Sequence, residues 1–408
     1  QNKWLNLLVN EKKNICCVGD DDQSIYSWRG AEIKNFLNFD TIYKNCRIFK
    51  LEQNYRSTKN ILETASTLIS HNNGRVEKKL WSSAQEGEKV KLNCYQSGRE
   101  EAEAVSDIAE KKLKNKYSLN NVAILVRAIY QTREFEERFL KVGLGYRVLG
   151  GTKFYERAEV KDAVAYLRII NQKYDDLALE RVIGNPRRGI GESTLNQLYL
   201  FGNQNKLCLE DSIKKNLECD NLKPKMKTSL AQLTGLIDKW RLDSKTNKHY
   251  DLLKIVLDES GYSEMLKNKK DLENENRLEN IKELLRAMHD YDNIQSFLEH
   301  VALATSIDKE WEGEKINLMT MHAAKGLEFD VVFLPGWEEG LFPHQKSLEE
   351  KGETALEEER RLAYVGITRA KKEAYLSFAM KRSYHGEWMD ALPSRFINEI
   401  PDENVEKN

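Results

Sequence analysis

The chain has 408 residues, with 64 Lys and Arg against 65 Asp and Glu and a formal net charge of −1. That length exceeds one ordinary hydrophobic core and implies two or three domains, while 40% hydrophobic and 32% charged residues exclude a disordered chain. Near-neutrality excludes a protein that coats itself in duplex through overall basicity, so any nucleic acid must be met by local sites.

At the N-terminus Trp4–Val9 is a helix-like apolar stretch, and nothing around it resembles a signal peptide. No run of about 18 apolar residues occurs anywhere, so a cytoplasmic protein with no membrane partner is expected. Ile15–Val18 and Arg47–Leu51 have strand length and composition. One helix and two strands are too little for a domain, so the sequence reads as beginning in the middle of something. The first strand carries Cys16 and Cys17; with Cys46, Cys94, Cys208 and Cys219 they form no C-x-x-C pair. This pattern fits neither a zinc site nor a disulfide framework, and small buried hydrophobes in a reducing compartment are expected.

Further along, unalternating apolar runs at Val90–Tyr95, Val122–Val126, Tyr146–Leu149, Ile316–Met321, Val331–Leu334 and Ala374–Phe378 predict buried parallel strands. Helical periodicity at Asn60–Asn72, Glu100–Leu113 and Gln131–Val142 separates the earlier ones, which argues an α/β sheet covered on both faces. From about Arg157 to Trp311 strand signals vanish. Helical patterns take their place, at Glu192–Phe201, Leu222–Leu242, Tyr250–Asp258 and Arg277–Tyr291. The expected fold is therefore an α/β parallel-sheet lobe interrupted by an all-helical insertion.

Four stretches carry chemistry. In Val18–Ala31 an apolar run delivers Asp20, Asp21, Asp22 and Gln23 at its C-terminal end, where open α/β sheets bind ligands. Gln23 can sense a phosphate or a water, and Tyr26, Trp28 and Arg29 add flat surfaces and a cation. A nucleobase stacked on such a ring gains roughly 1–3 kcal/mol regardless of sequence. The plainer alternative is a solvated acidic turn with Trp28 as a core anchor. In Leu51–Ser57, Tyr55 and Arg56 could stack on a base and reach its phosphate, or Ser57 could simply cap the next helix.

Thr320–Phe329 joins two strands through His322 and Lys325, placed to hold backbone phosphates, and Glu328, an acceptor for a ribose hydroxyl. A structural histidine is the plainer alternative. Glu357–Lys372 predicts a helix with one apolar face and Arg369 near its end, where an arginine can neutralise charge on a transferred phosphoryl group. A surface salt bridge competes with that role.

In this order the four stretches closely resemble the UvrD/PcrA/Rep family of superfamily-one ATP-dependent DNA helicases, across essentially the whole chain. The resemblance implies RecA-like motor lobes: residues 1–56 the remnant of the first, 57–184 and 313–408 the second, and 185–312 a helical accessory insertion. It implies catalytic roles for Gln23, Arg56 and Arg369, and an ATP site of Tyr55, Arg56, Glu328 and Arg369. Single-stranded DNA would meet Tyr26, Trp28, Arg29, Thr320, His322 and His344, advancing 3′→5′ without base readout as nucleotide closes the motor cleft. In Asn185–Thr194, Gly189, Ile190 and Gly191 resemble the family's duplex contact at a single-strand/duplex junction, with Ser260–Gly261–Tyr262 a second such element. An ordinary helix–turn–helix corner is the alternative for each.

The chain departs from the family in one respect: no G-x-x-x-x-G-K-[ST] phosphate loop occurs in it. The resemblance puts that loop and the Mg2+ ligands in an N-terminal motor half preceding Gln1, so no metal site is expected here and the chain alone is expected not to hydrolyse ATP. A stand-alone DNA-binding or regulatory module derived from a helicase is the competing reading. DNA repair and replication are the processes the resemblance suggests.

Overall fold

The computed structural model describes residues 15–43, 46–114, 117–219, 222–268, 272–306, 313–384 and 387–408, with residues 4, 7 and 9 besides. The chain divides into two compact units, Gln1–Gly151 with Gly313–Arg382 and Met389–Asn408, and Thr152–Glu312 with Ser383–Trp388.

The first unit is built on a sheet of β1 (Val90–Ser97), β2 (Val122–Val126), β3 (Tyr146–Leu149), β4 (Ile316–Thr320), β5 (Phe329–Leu334), β6 (Ala370–Tyr384), β7 (Glu387–Asp390) and β8 (Val405–Lys407). The order is β8-β1-β6-β5-β2-β4-β3, every neighbouring pair parallel, with β7 paired to β6 off this path. Central strands read as unbroken apolar runs because both of their faces are covered. In β2 the side chains alternate between two cores: Ala123 and Leu125 join one, Val122, Ile124 and Val126 the other. β5 divides the same way, with Val332 and Leu334 opposite Val331 and Phe333.

Helix α1 (Lys59–Ser70) brings Ile61, Ala65 and Leu68 to the first core, and α2 (Gly98–Lys114) and α3 (Thr132–Val142) bring Val105, Phe135 and Phe139 to the second. Each fully buried aliphatic or aromatic side chain of this kind contributes about 1.5–3 kcal/mol. Acidic residues open α2 and lysines close it, both favourable to the helix dipole.

Two expectations need correction. The runs at Ile15–Val18 and Arg47–Leu51 form no strand; Val18, Phe49 and Leu51 are 84%, 81% and 85% exposed. An apolar run becomes a strand only beside a hydrogen-bonding neighbour, and none pairs with these segments among the described residues. The cysteines are not buried either: Cys16, Cys17, Cys94 and Cys219 are exposed, and Cys46 and Cys208 intermediate.

In the second unit the described regular elements from Thr152 to Glu312 are all helical. Those used below are α4 (Ala158–Asn171), α5 (Asp176–Gly184), α6 (Glu192–Asn205), α7 (Leu209–Glu218), α8 (Pro224–Asp243) and α9 (His249–Glu259). Tyr166 of α4 meets the edges of Trp240 and Tyr262, and all three are fully buried. Helices α4 and α5, upstream of residue 185, belong to this compact unit.

Candidate nucleotide and nucleic-acid site

The site in the first unit is organised by the helix α10 (Glu353–Ile367), which packs Leu362, Ala363, Val365 and Ile367 into the core. Gly366 near its end is required by close approach: a Cβ there would lie 2.6 Å from Leu334 and 3.0 Å from the Met321 sulfur. The helix end is thereby pressed onto the sheet, and Arg369 follows directly. Arg369 is 1% exposed. Its Nε donates to the Val365 carbonyl at 3.0 Å, and Nη1 and Nη2 donate to the Leu327 carbonyl and Thr368 Oγ1, both at 3.2 Å. Nη2 also lies 3.5 Å from the Gln23 amide oxygen. No carboxylate pairs with it among the described residues. Burial and then the nearby Arg56 hold its pKa down at about 10.

Arg56 and Glu328 stand beside it. Arg56 Nε donates to Glu328 at 2.8 Å, Lys371 pairs with the same carboxylate at 2.7 Å, and Arg56 Nη1 reaches the Thr368 carbonyl at 3.4 Å. These two cations, Lys371 first, hold Glu328 at a pKa of about 2. Lys325 Nζ donates to the Gln23 carbonyl at 2.7 Å. Burial depresses its ammonium as well. The Tyr55 ring is 81% exposed, its hydroxyl donating to Gln53 at 2.6 Å. Tyr55, Arg56, Glu328, Arg369 and Gln23 therefore fall in one neighbourhood. Arg56, Arg369, Lys325 and Lys371 gather there with two acids, Glu328 and Asp20, both already paired, an arrangement suited to a polyanion.

The acidic turn is not solvated. Asp21 and Asp22 are buried; Lys78 bridges Asp20, Asp21 (2.7 Å) and Asp22 (3.1 Å), and Arg75 holds Asp22 at 2.6 Å. Three carboxylates close enough to share a cation already have an ammonium and a guanidinium among them, so they do not fit a Mg2+ site. Ser57 is no helix cap either. Thr58 is the capping residue, and buried Ser57 donates to the Ala370 carbonyl at 2.7 Å, tying the 53–57 segment to β6.

A second group gathers the residues expected at single-stranded DNA. Tyr26 donates its hydroxyl to the His322 carbonyl at 3.2 Å, and its ring lies under Lys325 Nζ at 5.1 Å and the Arg29 guanidinium at 5.6 Å. Thr320, at the end of β4, accepts the Ala323 amide on Oγ1 at 3.2 Å, and Arg29 is exposed. Trp28 lies in the short 3-10 turn Ser27–Arg29; its side chain falls outside the described residues.

Sequence patterns missed Arg127 and Glu359. Arg127 forks onto buried Glu359 at 2.6 and 2.8 Å, and Glu359 also accepts the His344 backbone N–H at 3.1 Å. Burial, and then the Arg127 charge, pull the His322 imidazole down to about 4. The only available signal was a charged run, Glu357–Arg361, on a helix with a strongly apolar remainder.

The Gly189–Gly191 turn belongs to the helical unit. Arg188 turns inward, donating to the Pro186 carbonyl at 3.0 Å, the Tyr166 hydroxyl at 3.1 Å and the Ser260 carbonyl at 3.4 Å. Ser229 of α8 donates to the Arg188 carbonyl at 3.2 Å. This brings the Ser260–Gly261–Tyr262 turn against the 186–191 turn. Gly189 has φ +75°, Ile190 is half-buried, and Gly191 is the residue preceding α6.

Comparison with known proteins fits this arrangement. The family model for the UvrD-like helicase C-terminal domain matches residues 49–381, and that for the UvrD/REP helicase N-terminal domain matches residues 1–44. The chain belongs to the UvrD-like helicase family. It is 47% identical over 403 residues to a "Probable DNA helicase II homolog" of Rickettsia felis, covering 98% of this chain and 62% of that one. It is 38% identical over 412 residues to the "ATP-dependent DNA helicase PcrA" of Staphylococcus aureus, covering 99% and 56%. The chain thus spans about three-fifths of the length of these relatives. A solved C-terminal domain of a possible DNA helicase from Lactobacillus plantarum covers 87% of this chain at a TM-score of 0.34 and 10% identity, too slight a likeness to bear on the site. No described helix is long and apolar enough to cross a membrane.

Proposed function

We propose that this chain is the C-terminal part of a 3′→5′ ATP-dependent DNA helicase that moves along single-stranded DNA and opens duplex without sequence preference, serving DNA repair or replication. Residues 1–56 would complete a first RecA-like lobe together with an N-terminal segment of the kind its longer relatives possess. The parallel-sheet unit after residue 56 would form the second lobe, and the helical unit Thr152–Glu312 the duplex-gripping insertion. The exposed apolar side chains of Val18, Phe49 and Leu51 suit a surface covered by the rest of the first lobe.

The observation that carries this reading is Arg369, a buried guanidinium without a carboxylate partner among the described residues, beside Arg56 and Gln23. Burying a charge without a counter-ion is costly, and a phosphate placed there would compensate it. Bound ATP supplies the phosphoryl group that is lost to water. Tyr55 would stack on its base, Glu328 would accept from the ribose, and Arg56 and Arg369 would neutralise charge on the terminal phosphate. Gln23, held by its neighbours at both side chain and backbone, would report that charge to Tyr26, Arg29, Thr320, His322 and His344 along the strand. The Asp20–Asp22 carboxylates do not fit Mg2+; on this reading its ligands would lie in the N-terminal segment, and these 408 residues alone would turn over no ATP.

Reconstitution tests the reading. An N-terminal motor segment from a close relative, fused or added in trans, should yield DNA-stimulated ATP hydrolysis that Arg369→Ala abolishes. A reconstituted wild type that binds oligonucleotide but shows no DNA-dependent hydrolysis would instead favour a stand-alone DNA-binding module.

A further inference from the structure

The segment Gln23–Ser27 is joined to α10 and its end at three points. Ser27 donates its backbone N–H to Glu358 Oε1 at 2.9 Å and its hydroxyl to Glu358 Oε2. Arg361 Nε donates to the Ser24 carbonyl at 2.9 Å. Arg369 Nη2 lies 3.5 Å from the Gln23 amide oxygen. Going up the helix through 358, 361 and 369, the partners run backward through 27, 24 and 23. Residues three or four apart share a helix face, so Glu358 and Arg361 form one stripe whose continuation past the C-terminus is Arg369. Arg361 is buried and Glu358 half-buried, and Arg361 satisfies a backbone carbonyl without a short pairing to any acid.

The other charged residues of this run point elsewhere. Glu357 accepts the Asn73 amide, Glu359 takes Arg127, and Arg360 pairs with Glu399 at 2.7 Å. Only Glu358 and Arg361 address the turn that carries Tyr26 and Arg29.

We propose that Glu358, with Arg361, is a positioning residue that couples the anion end of the site to its strand end. The pair makes the Ser24–Arg29 turn move with the helix that delivers Arg369, so that a phosphate at Arg369 is felt at Tyr26 and Arg29. Both residues act through Ser27 and Ser24. The inference rests on the helicase reading above, since it requires both a nucleotide and a DNA strand to bind.

The test is a linkage measurement on the 408-residue chain joined to the N-terminal motor segment of a close relative, reading fluorescein-labelled oligo-dT affinity with and without saturating ATPγS. Coupling between two sites typically changes affinity 5- to 150-fold. Wild type should fall in that range. Glu358→Gln keeps an oxygen acceptor and the side-chain size, and should leave each separate affinity within about twofold of wild type while the linkage drops below twofold. Ser27→Ala attacks the same contact from the other side and should give a partial loss; combined with Glu358→Gln it should add nothing further. A Glu358→Gln variant with wild-type linkage overturns the proposal. So does one that loses oligo-dT binding as fully as Arg29→Ala, for then Glu358 merely shapes the turn. A reconstituted wild type without linkage overturns the helicase reading and this inference together, and that outcome is told apart by the unmutated protein alone.

Discussion

Arg127 forks onto Glu359, Nε 2.8 Å from one carboxylate oxygen and Nη2 2.6 Å from the other, in a largely buried pair whose acid also holds the His344 amide. Burial alone would raise the Glu359 pKa, yet the pairing leaves it below the ordinary value, and the same pairing raises the guanidinium against its own burial. Arg127→Met would strand the carboxylate and should cost about 3 kcal/mol in urea unfolding. Arg127→Met with Glu359→Leu should recover most of that loss. A single variant as stable as wild type would contradict this account.

Arg369 presents the opposite case. Among the described residues it has no acid to strand, only three carbonyl or hydroxyl acceptors and a distant amide oxygen. Arg369→Met should therefore change stability by no more than about 1 kcal/mol in either direction. It should also remove any rise in the thermal unfolding midpoint that millimolar ATP produces in wild type. A large loss of stability would mean that the residue is structural and that its unpaired charge is incidental.

Much of this was legible in the sequence, for identifiable reasons. Val122–Val126 read as a buried strand because five apolar residues with no alternation require cover on both faces, and the two cores divide them residue by residue. Arg369 was visible because a helix pattern ends just before it and a strand begins just after. Ile15–Val18 misled, since composition records what a segment suits and not whether a neighbouring strand is there to pair with it. Lys78 and Arg75 were invisible as partners of Asp20, Asp21 and Asp22, from which more than fifty residues separate them. Without them, three consecutive aspartates look like a solvated turn.

That trio gives a metal prediction. With Lys78 bridging all three carboxylates and Arg75 on Asp22, Mn2+ would have to displace an ammonium whose pKa is pushed above its ordinary value by Asp20 and its neighbours despite burial. Calorimetric titration of wild type with millimolar Mn2+ should show no binding at this turn. Lys78→Met, which frees the oxygens, should reveal weak binding that Asp21→Asn removes. Binding to wild type that Asp21→Asn abolishes would reverse the assignment.

His322 gives a pH prediction. Its folded pKa of about 4 lies below the ordinary 6.5, with burial first and Arg127 second as causes. The folded state thus favours the neutral ring. That contribution is complete above pH 6.5, declines as pH falls from 6.5 toward 4, and amounts to at most about 3 kcal/mol. His322→Asn should flatten the stability profile of the first unit between pH 6.5 and 4 and leave it unchanged above pH 7. If the variant's profile parallels wild type across that interval, the ring is not the group responsible.

The paired glycines of the helical unit separate backbone strain from close approach. Gly189 has φ +75° and no atom within 4 Å of where a Cβ would sit, so Gly189→Ala meets a conformational cost of about 1 kcal/mol and no clash. Gly191 has φ −91°, ordinary extended backbone, and equally open space, so Gly191→Ala should unfold like wild type. If the first amides of α6 meet a duplex phosphate, however, the added methyl stands between them and it. Both variants should then weaken binding of a hairpin duplex several-fold while leaving oligo-dT affinity unchanged. Duplex affinity that falls in Gly189→Ala but not in Gly191→Ala would assign the effect to a distorted turn, and close phosphate approach at this corner would be ruled out.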